Sequence, residues 1–292
     1  GAGAELLAYT QVKAILLSLD VLYIIWTALL LFHIADEAGA VTLVGRVLPS
    51  LTADRTMQGL LLGWLFASFL QGMGGFGVPV AVAAPLLVGL GFTPVQAVMM
   101  ACIGHGWAVN FSSLATSFQT LLAVTNLPAS FLAADASVLL GISSVFCGAI
   151  VAFIAGEWRG MLRTLPAVLV LSAVMGITQH LLVTNDLYTL GATGGAMAGL
   201  LVGVALCRIP AYRGQVTGRP SMALEDGKPR SLVIVLSAYI LLVVLAFAIN
   251  LIPPLSAFFD QVQLTLSFPV LSTAYGFTTP AELGRKINLF GH

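Results

Sequence analysis

Two groups of residues able to hydrogen-bond or carry protons lie inside otherwise apolar sequence. The first is the run Gln71-Gly72-Met73-Gly74-Gly75-Phe76-Gly77-Val78-Pro79. Its four glycines in six residues, followed by a proline without an amide hydrogen, cannot continue a regular helix, so backbone groups are left to bond something else. In hydrocarbon, such backbone persists only where it is buried in protein or faces a polar cavity. The knot therefore reads either as a ligand site made from discontinuous membrane helices or as a glycine-rich helix contact with a tight turn. The second group is His105, Asn110, Ser112, Ser113, Thr116, Ser117 and Gln119. Serine and threonine alone would be ordinary glue between membrane helices. With His105 set between two glycines and Asn110 close behind, the stretch 95–123 reads as a second broken or cavity-lining segment.

No Lys or Arg occurs between Arg55 and Arg159, so an anion at the knot would meet amides and helix N-terminal ends rather than a cation. On this reading the backbone of Gly72, Gly74, Gly75, Phe76 and Gly77 receives the anion, while Gln71, Asn110, Ser112 and Ser113 bond it through side chains. Glycine is expected to be required at Gly75 and Gly77, where positive φ or close backbone approach is anticipated. His105 is the titratable side chain central to the region and the candidate proton carrier. The other reading of His105 is a packing histidine donating to a carbonyl of its own broken helix. No CxxC or Cys/His cluster suggests a metal or cofactor, and Cys102, Cys147 and Cys207 sit in apolar runs as small buried residues. A lone histidine near serines is thin support for an enzyme, and the acidic rings or filter motif of a channel are missing.

The elements that position these residues must be membrane helices. The chain is 59% hydrophobic and 8% charged with a mean hydropathy of +1.01, whereas an ordinary soluble domain is roughly a quarter charged. Zero net charge leaves no electrostatic case for nucleic acid. The reading is an all-α, multi-pass membrane protein with about six full spans, a re-entrant helical hairpin at 57–90 and the broken segment at 95–123, acting as one transport unit over 1–292. Full spans are expected near Ala14–Ile34, Ala136–Ala155, Leu165–Val183, Tyr188–Leu206 and Leu232–Ile252, with a hydrophilic loop at 208–230. Asp20, near the end of the first span, reads as an interfacial carboxylate, and Pro166 as a first-turn proline. The second arm of the knot, about 12 residues or ~18 Å of helix, is too short to cross ~30 Å of hydrocarbon alone.

Basic residues set the orientation. Arg46 and Arg55, Arg159 and Arg163, and the five Lys/Arg between Arg208 and Arg230 place those connectors inside, and the loops near Asp135 and Asn185 outside. An odd number of crossings must then separate Arg55 from Asp135. A hairpin entering from the cytoplasm plus one crossing satisfies that parity, with the knot at the hairpin tip. The chain starts without Met and stops as a new segment begins, so it is read as a piece of a longer polypeptide.

The run FLQGMGGFGVPVAVAAPLLVGLGFTP, Phe69 to Pro94, resembles the signature of the lactate permease family, and weaker likeness extends from Ile15 through Trp158-Arg159-Gly160 and Pro166 to Pro253-Pro254. The resemblance implies roughly the first half of an inner-membrane symporter built from inverted repeats. Such a protein moves lactate, glycolate or similar 2-hydroxy monocarboxylates with protons. Where the family commonly has a glutamate this chain has Gln71, and where it commonly has asparagine followed by threonine this chain has His105-Gly106. Those departures imply a divergent branch, leaving open another organic anion or another coupling ion, and a homo-oligomer is also left open.

Overall fold

The structure is a computed structural model. It describes residues 3–37, 51–73, 75, 77–112, 115–125 and 127–213, and, towards the C-terminus, 254, 258, 261, 263–268, 270–272, 275–276, 278–279 and 282–288. The expected span Leu232–Ile252, the loop 208–230 beyond Arg213 and much of the connector before Thr56 lie outside the described residues, as does the side chain of Asp20. Two compact units are present, one made of Gly1–Thr27 with Leu242–His292 and the other of Ala28–Leu241.

The first unit contains the start of α1 (Ala4–Glu37), a helix that includes the first expected span and continues into the second unit. It also contains two antiparallel strand pairs. β1 (Gln263–Phe268) pairs with β4 (Glu282–Asn288), Leu264 opposite Ile287, with an irregularity between Leu266 and Phe268. β2 (Leu271–Ser272) pairs with β3 (Thr278–Thr279). These strands are additions to the helical fold read from the sequence. The alternation Gln-Leu-Thr-Leu-Ser-Phe is the period-two signal that would have located the first of them.

Among the described residues, the second unit is helical. Its organising helix, α2, is α-helical over Arg55–Gly59, π-helical over Leu60–Phe66 and α-helical again over Ala67–Met73. Every residue of the π-helical stretch is buried. Asp54 starts the helix by accepting a hydrogen bond from the Met57 amide at 3.0 Å. The chain then turns through Gly75 (φ 57°) and Gly77 (φ 90°) into α3 (Val78–Gly89), which Gly77 caps and Pro79 enters in the first turn. α2 and α3 form an antiparallel hairpin, because Arg55 at the base of α2 donates to the carbonyl of Gly91 just beyond α3 at 2.9 Å.

After that turn, α4 (Pro94–Gly104) begins at a capping box. Thr93 Oγ accepts from the Gln96 amide, and Gln96 Oε1 accepts from the Thr93 amide. α4 ends at His105, a 3-10 turn covers Gly106–Phe111, Ser112 is extended, Ala115 has φ 59°, and α5 (Thr116–Thr125) resumes. The stretch read as a broken segment is thus interrupted twice.

α6 (Ala129–Thr184) bends at Glu157, whose φ of 55° and ψ of −165° lie in a region that glycine alone enters freely. The neighbouring Gly156 is needed elsewhere: a Cβ there would strike Thr56 Oγ1, and one at Gly160 would lie 2.6 Å from the same atom. The elbow makes two antiparallel arms, 129–156 and 158–184. Gly141 and Gly176 allow their close approach, since a Cβ on Gly176 would lie 3.1 Å from Gly141 Cα. Pro166 lies well inside the second arm rather than in its first turn, because the helix already restarts beside Arg159. A 3-10 turn (Tyr188–Leu190), α7 (Gly191–Leu206) and a short α8 (Pro210–Arg213) follow.

Among the described residues, Ala129–Thr184 and Tyr188–Leu206 are long and apolar enough to cross a membrane, the former as two arms. Phe131, Leu139, Phe146, Ile177 and Leu181 are exposed along α6, and lipid is the solvent such a surface requires. Arg55, Arg163 and Arg213 meet at one end of the unit. Arg163 pairs with Asp54, the Ala53 amide donates to the Arg213 carbonyl, and Thr52 Oγ1 donates to the Tyr212 carbonyl at 2.5 Å.

Candidate functional site

The knot and the broken segment are brought together by two short hydrogen-bond chains. In one, Gln71 Nε2 donates to Ser112 Oγ at 2.9 Å, and Ser112 Oγ donates to the Val109 carbonyl at 2.9 Å. In the other, Trp107 Nε1 donates to Ser68 Oγ at 2.8 Å, and Ser68 Oγ donates to the Gly104 carbonyl at 3.2 Å. Ser68 and Gln71 are three residues apart on one face of α2, so both bonds arise from one helical stripe. All four side chains are buried. Each hydroxyl both accepts and donates, which ties the interrupted backbone of 104–112 to a continuous helix.

Gly72 lies inside α2 rather than in the break, and its missing side chain lets Thr193 of α7 approach: a Cβ there would be 2.6 Å from Thr193 Oγ1 and 2.9 Å from Thr193 Cα. Gly75 is buried and its carbonyl accepts from the Val78 amide at 2.9 Å, whereas Gly77 is exposed. Asn110 is half-buried on the 3-10 turn. Gly74, Phe76 and Ser113 lie outside the described residues.

His105 is half-buried. Its ring turns back along α4, and Nδ1 donates to the Ala101 carbonyl at 2.6 Å. A carbonyl only accepts, so this bond places the neutral ring's proton on Nδ1 and leaves Nε2 to exchange protons. The geometry is also that of a packing histidine bonded to its own helix.

Sequence reasoning passed over Ser68, Trp107, Thr193 and Gln179. The first was recoverable from its spacing to Gln71. Thr193, within Gly-Ala-Thr-Gly-Gly, was masked by the small residues around it. Gln179 is fully buried on the second arm of α6, and neither its Nε2 nor its Oε1 has a hydrogen-bond partner among the described residues. Leaving such atoms unpaired costs about 1–3 kcal/mol for each group. Arg55 is held at the hairpin base, 4.4 Å from the Phe92 ring centre, and Arg163 is taken by Asp54.

The family model described as L-lactate permease matches residues 2–279. The chain is 33% identical over 159 residues to the L-lactate permease of Bacillus subtilis, covering 54% of this chain and 28% of that protein. It is 34% identical over 163 residues to the L-lactate permease of Escherichia coli K12, covering 54% and 29%. It is 32% identical over 157 residues to the glycolate permease of the same organism, covering 54% and 28%. The matched stretch thus spans less than a third of these curated relatives. No solved structure matches the chain.

Proposed function

Because this chain belongs to the L-lactate permease family, an integral membrane family, we propose that it forms the substrate-holding part of a secondary transporter for small monocarboxylates such as lactate and glycolate. The observation that carries this reading is the Gln71–Ser112 bond, which sets the edge of the glycine knot against the broken segment. The hairpin of α2 and α3 enters the bilayer from the cytoplasmic side and returns, since its base lies with the basic end of the unit. Backbone at Gly74 to Gly77 and the positive end of α3 receive the carboxylate, with Gln71, Asn110, Ser112 and Ser113 bonding its oxygens or hydroxyl. The protein resides in the cell's inner membrane and performs no covalent chemistry.

The test is uptake of labelled lactate, glycolate and short dicarboxylates by vesicles containing the full-length protein, with and without an inward proton gradient. Uptake of both monocarboxylates, raised by the gradient, is expected. Uptake of none of them would remove the reading.

His105 carries the coupled proton through Nε2 in this proposal. His105→Ala is expected to abolish gradient-driven accumulation while leaving lactate exchange at a substantial fraction of the original rate. Accumulation with unaltered pH dependence would show that His105 only packs. A permease coupled to an ion other than the proton is the second reading, favoured by the uncharged Gln71 and by the ring of His105 bonding Ala101 rather than the Gln71–Ser112 pair.

A further inference from the structure

We infer that the Gln179 side-chain amide reads the 2-hydroxyl group of the substrate, an inference that rests on the transport reading above. Gln179 lies on the second arm of α6. A Cβ at Gly195 of α7 would be 3.5 Å from Gln179 Cβ and 3.2 Å from Cη2 of Trp107, the residue whose indole donates to Ser68. Two residues earlier on α7, Thr193 meets Gly72. The first turns of α7 thus approach the second arm of α6 at Gln179, the 3-10 turn at Trp107 and the end of α2 at Gly72, within two residues of one another.

Four buried side chains have unpartnered polar atoms among the described residues: Trp64, Ser144, Ser172 and Gln179. The indole of Trp64 can only donate, and a serine hydroxyl can rotate to a carbonyl of its own helix. Gln179 is the one with both a donor and an acceptor unpaired. A primary amide presents those two functions side by side. A 2-hydroxy carboxylate presents their complement on adjacent carbons: a carboxylate oxygen to accept from Nε2 and a hydroxyl to donate to Oε1. The match needs no countercharge, in keeping with a site without a free cation among its described residues. A carboxylate without the hydroxyl would leave Oε1 unpaired, and sites built to bond a hydroxyl discriminate strongly against its absence.

The test uses full-length protein in vesicles and the unbranched replacement Gln179→Met. Half-saturation for labelled lactate and its inhibition by propionate, which lacks the hydroxyl, are measured for wild type and variant, together with thermal midpoints in detergent. Lactate affinity is expected to fall about tenfold or more while inhibition by propionate, which loses only the bond from Nε2, weakens less, so the preference between them shrinks. The thermal midpoint should stay level or rise, because an unpaired buried amide has been removed. An unchanged preference, equal weakening of both ligands, or a lowered midpoint overturns the inference. Wild-type vesicles that take up no lactate would instead remove the transport reading, and this inference with it.

Discussion

Gly104→Ala is expected to destabilise the protein by about 3 kcal/mol or more and to abolish uptake, whereas Gly106→Ala should be nearly neutral. The two glycines flank His105 and look equivalent in the sequence. In the structure, a Cβ on Gly104 would sit 1.9 Å from the Gly63 carbonyl oxygen and 2.8 Å from Trp64 Cα. Both are backbone atoms of the π-helical stretch of α2, which is buried throughout and cannot swing aside as a side chain would. Accommodation would require α2 and α4 to separate, pulling Ser68 from the Gly104 carbonyl and Trp107 from Ser68. Among the described residues, a Cβ on Gly106 would meet only Cys147 Sγ at 3.9 Å, an ordinary contact. Membrane expression and thermal midpoints of the two variants in detergent measure the difference. Similar losses for both would show that the glycines serve flexibility at His105 rather than contact with α2.

Asp54→Ala should cost about 2 kcal/mol, roughly half of it from the lost helix cap and the rest from the lost ion pair. One carboxylate oxygen accepts from the Met57 amide and the other pairs with Arg163, with the Asp54 side chain buried and Arg163 half-exposed. Exposure of Arg163 reduces the value of the pair, which keeps the figure near the low end for buried ions. Asp54→Asn retains a cap acceptor and should lose about half as much. Combining Asp54→Ala with Arg163→Ala should add little to Asp54→Ala alone, because both changes remove one interaction. Thermal midpoints of the four proteins form the cycle. Full additivity would show that the pair holds nothing, and the loss would then be the cap's alone. The site matters because Asp54 fastens the base of the hairpin to the second arm of α6 just beyond the elbow at Glu157.

The sequence alone placed Asp54 among the charges of a surface connector, since nothing in Ala53-Asp54-Arg55 announces a partner at position 163. It was more informative where the signal is local. The hairpin turn was legible at Gly75 and Gly77 because only glycine adopts positive φ without strain, and the arms were legible because apolar runs cannot stay in water. Both arms of α6 were legible too, as apolar runs on either side of the charged residues Glu157, Arg159 and Arg163, and the elbow falls on Glu157.

By itself, then, the sequence determined the solvent, the helical body, the position of the knot and the family, because hydropathy, glycine and proline act within a few residues of themselves. Only the tertiary structure decided that Gln71 bonds Ser112, that His105 turns to Ala101 instead, that one of two flanking glycines packs against the backbone of α2 and that Gln179 is buried without a described partner. Apart from the His105–Ala101 bond, which closes within one helix, those facts depend on which backbones touch across separations of tens of residues, or over a hundred for Gly72 and Thr193. Close packing selects such contacts from the whole fold, and no local pattern encodes them.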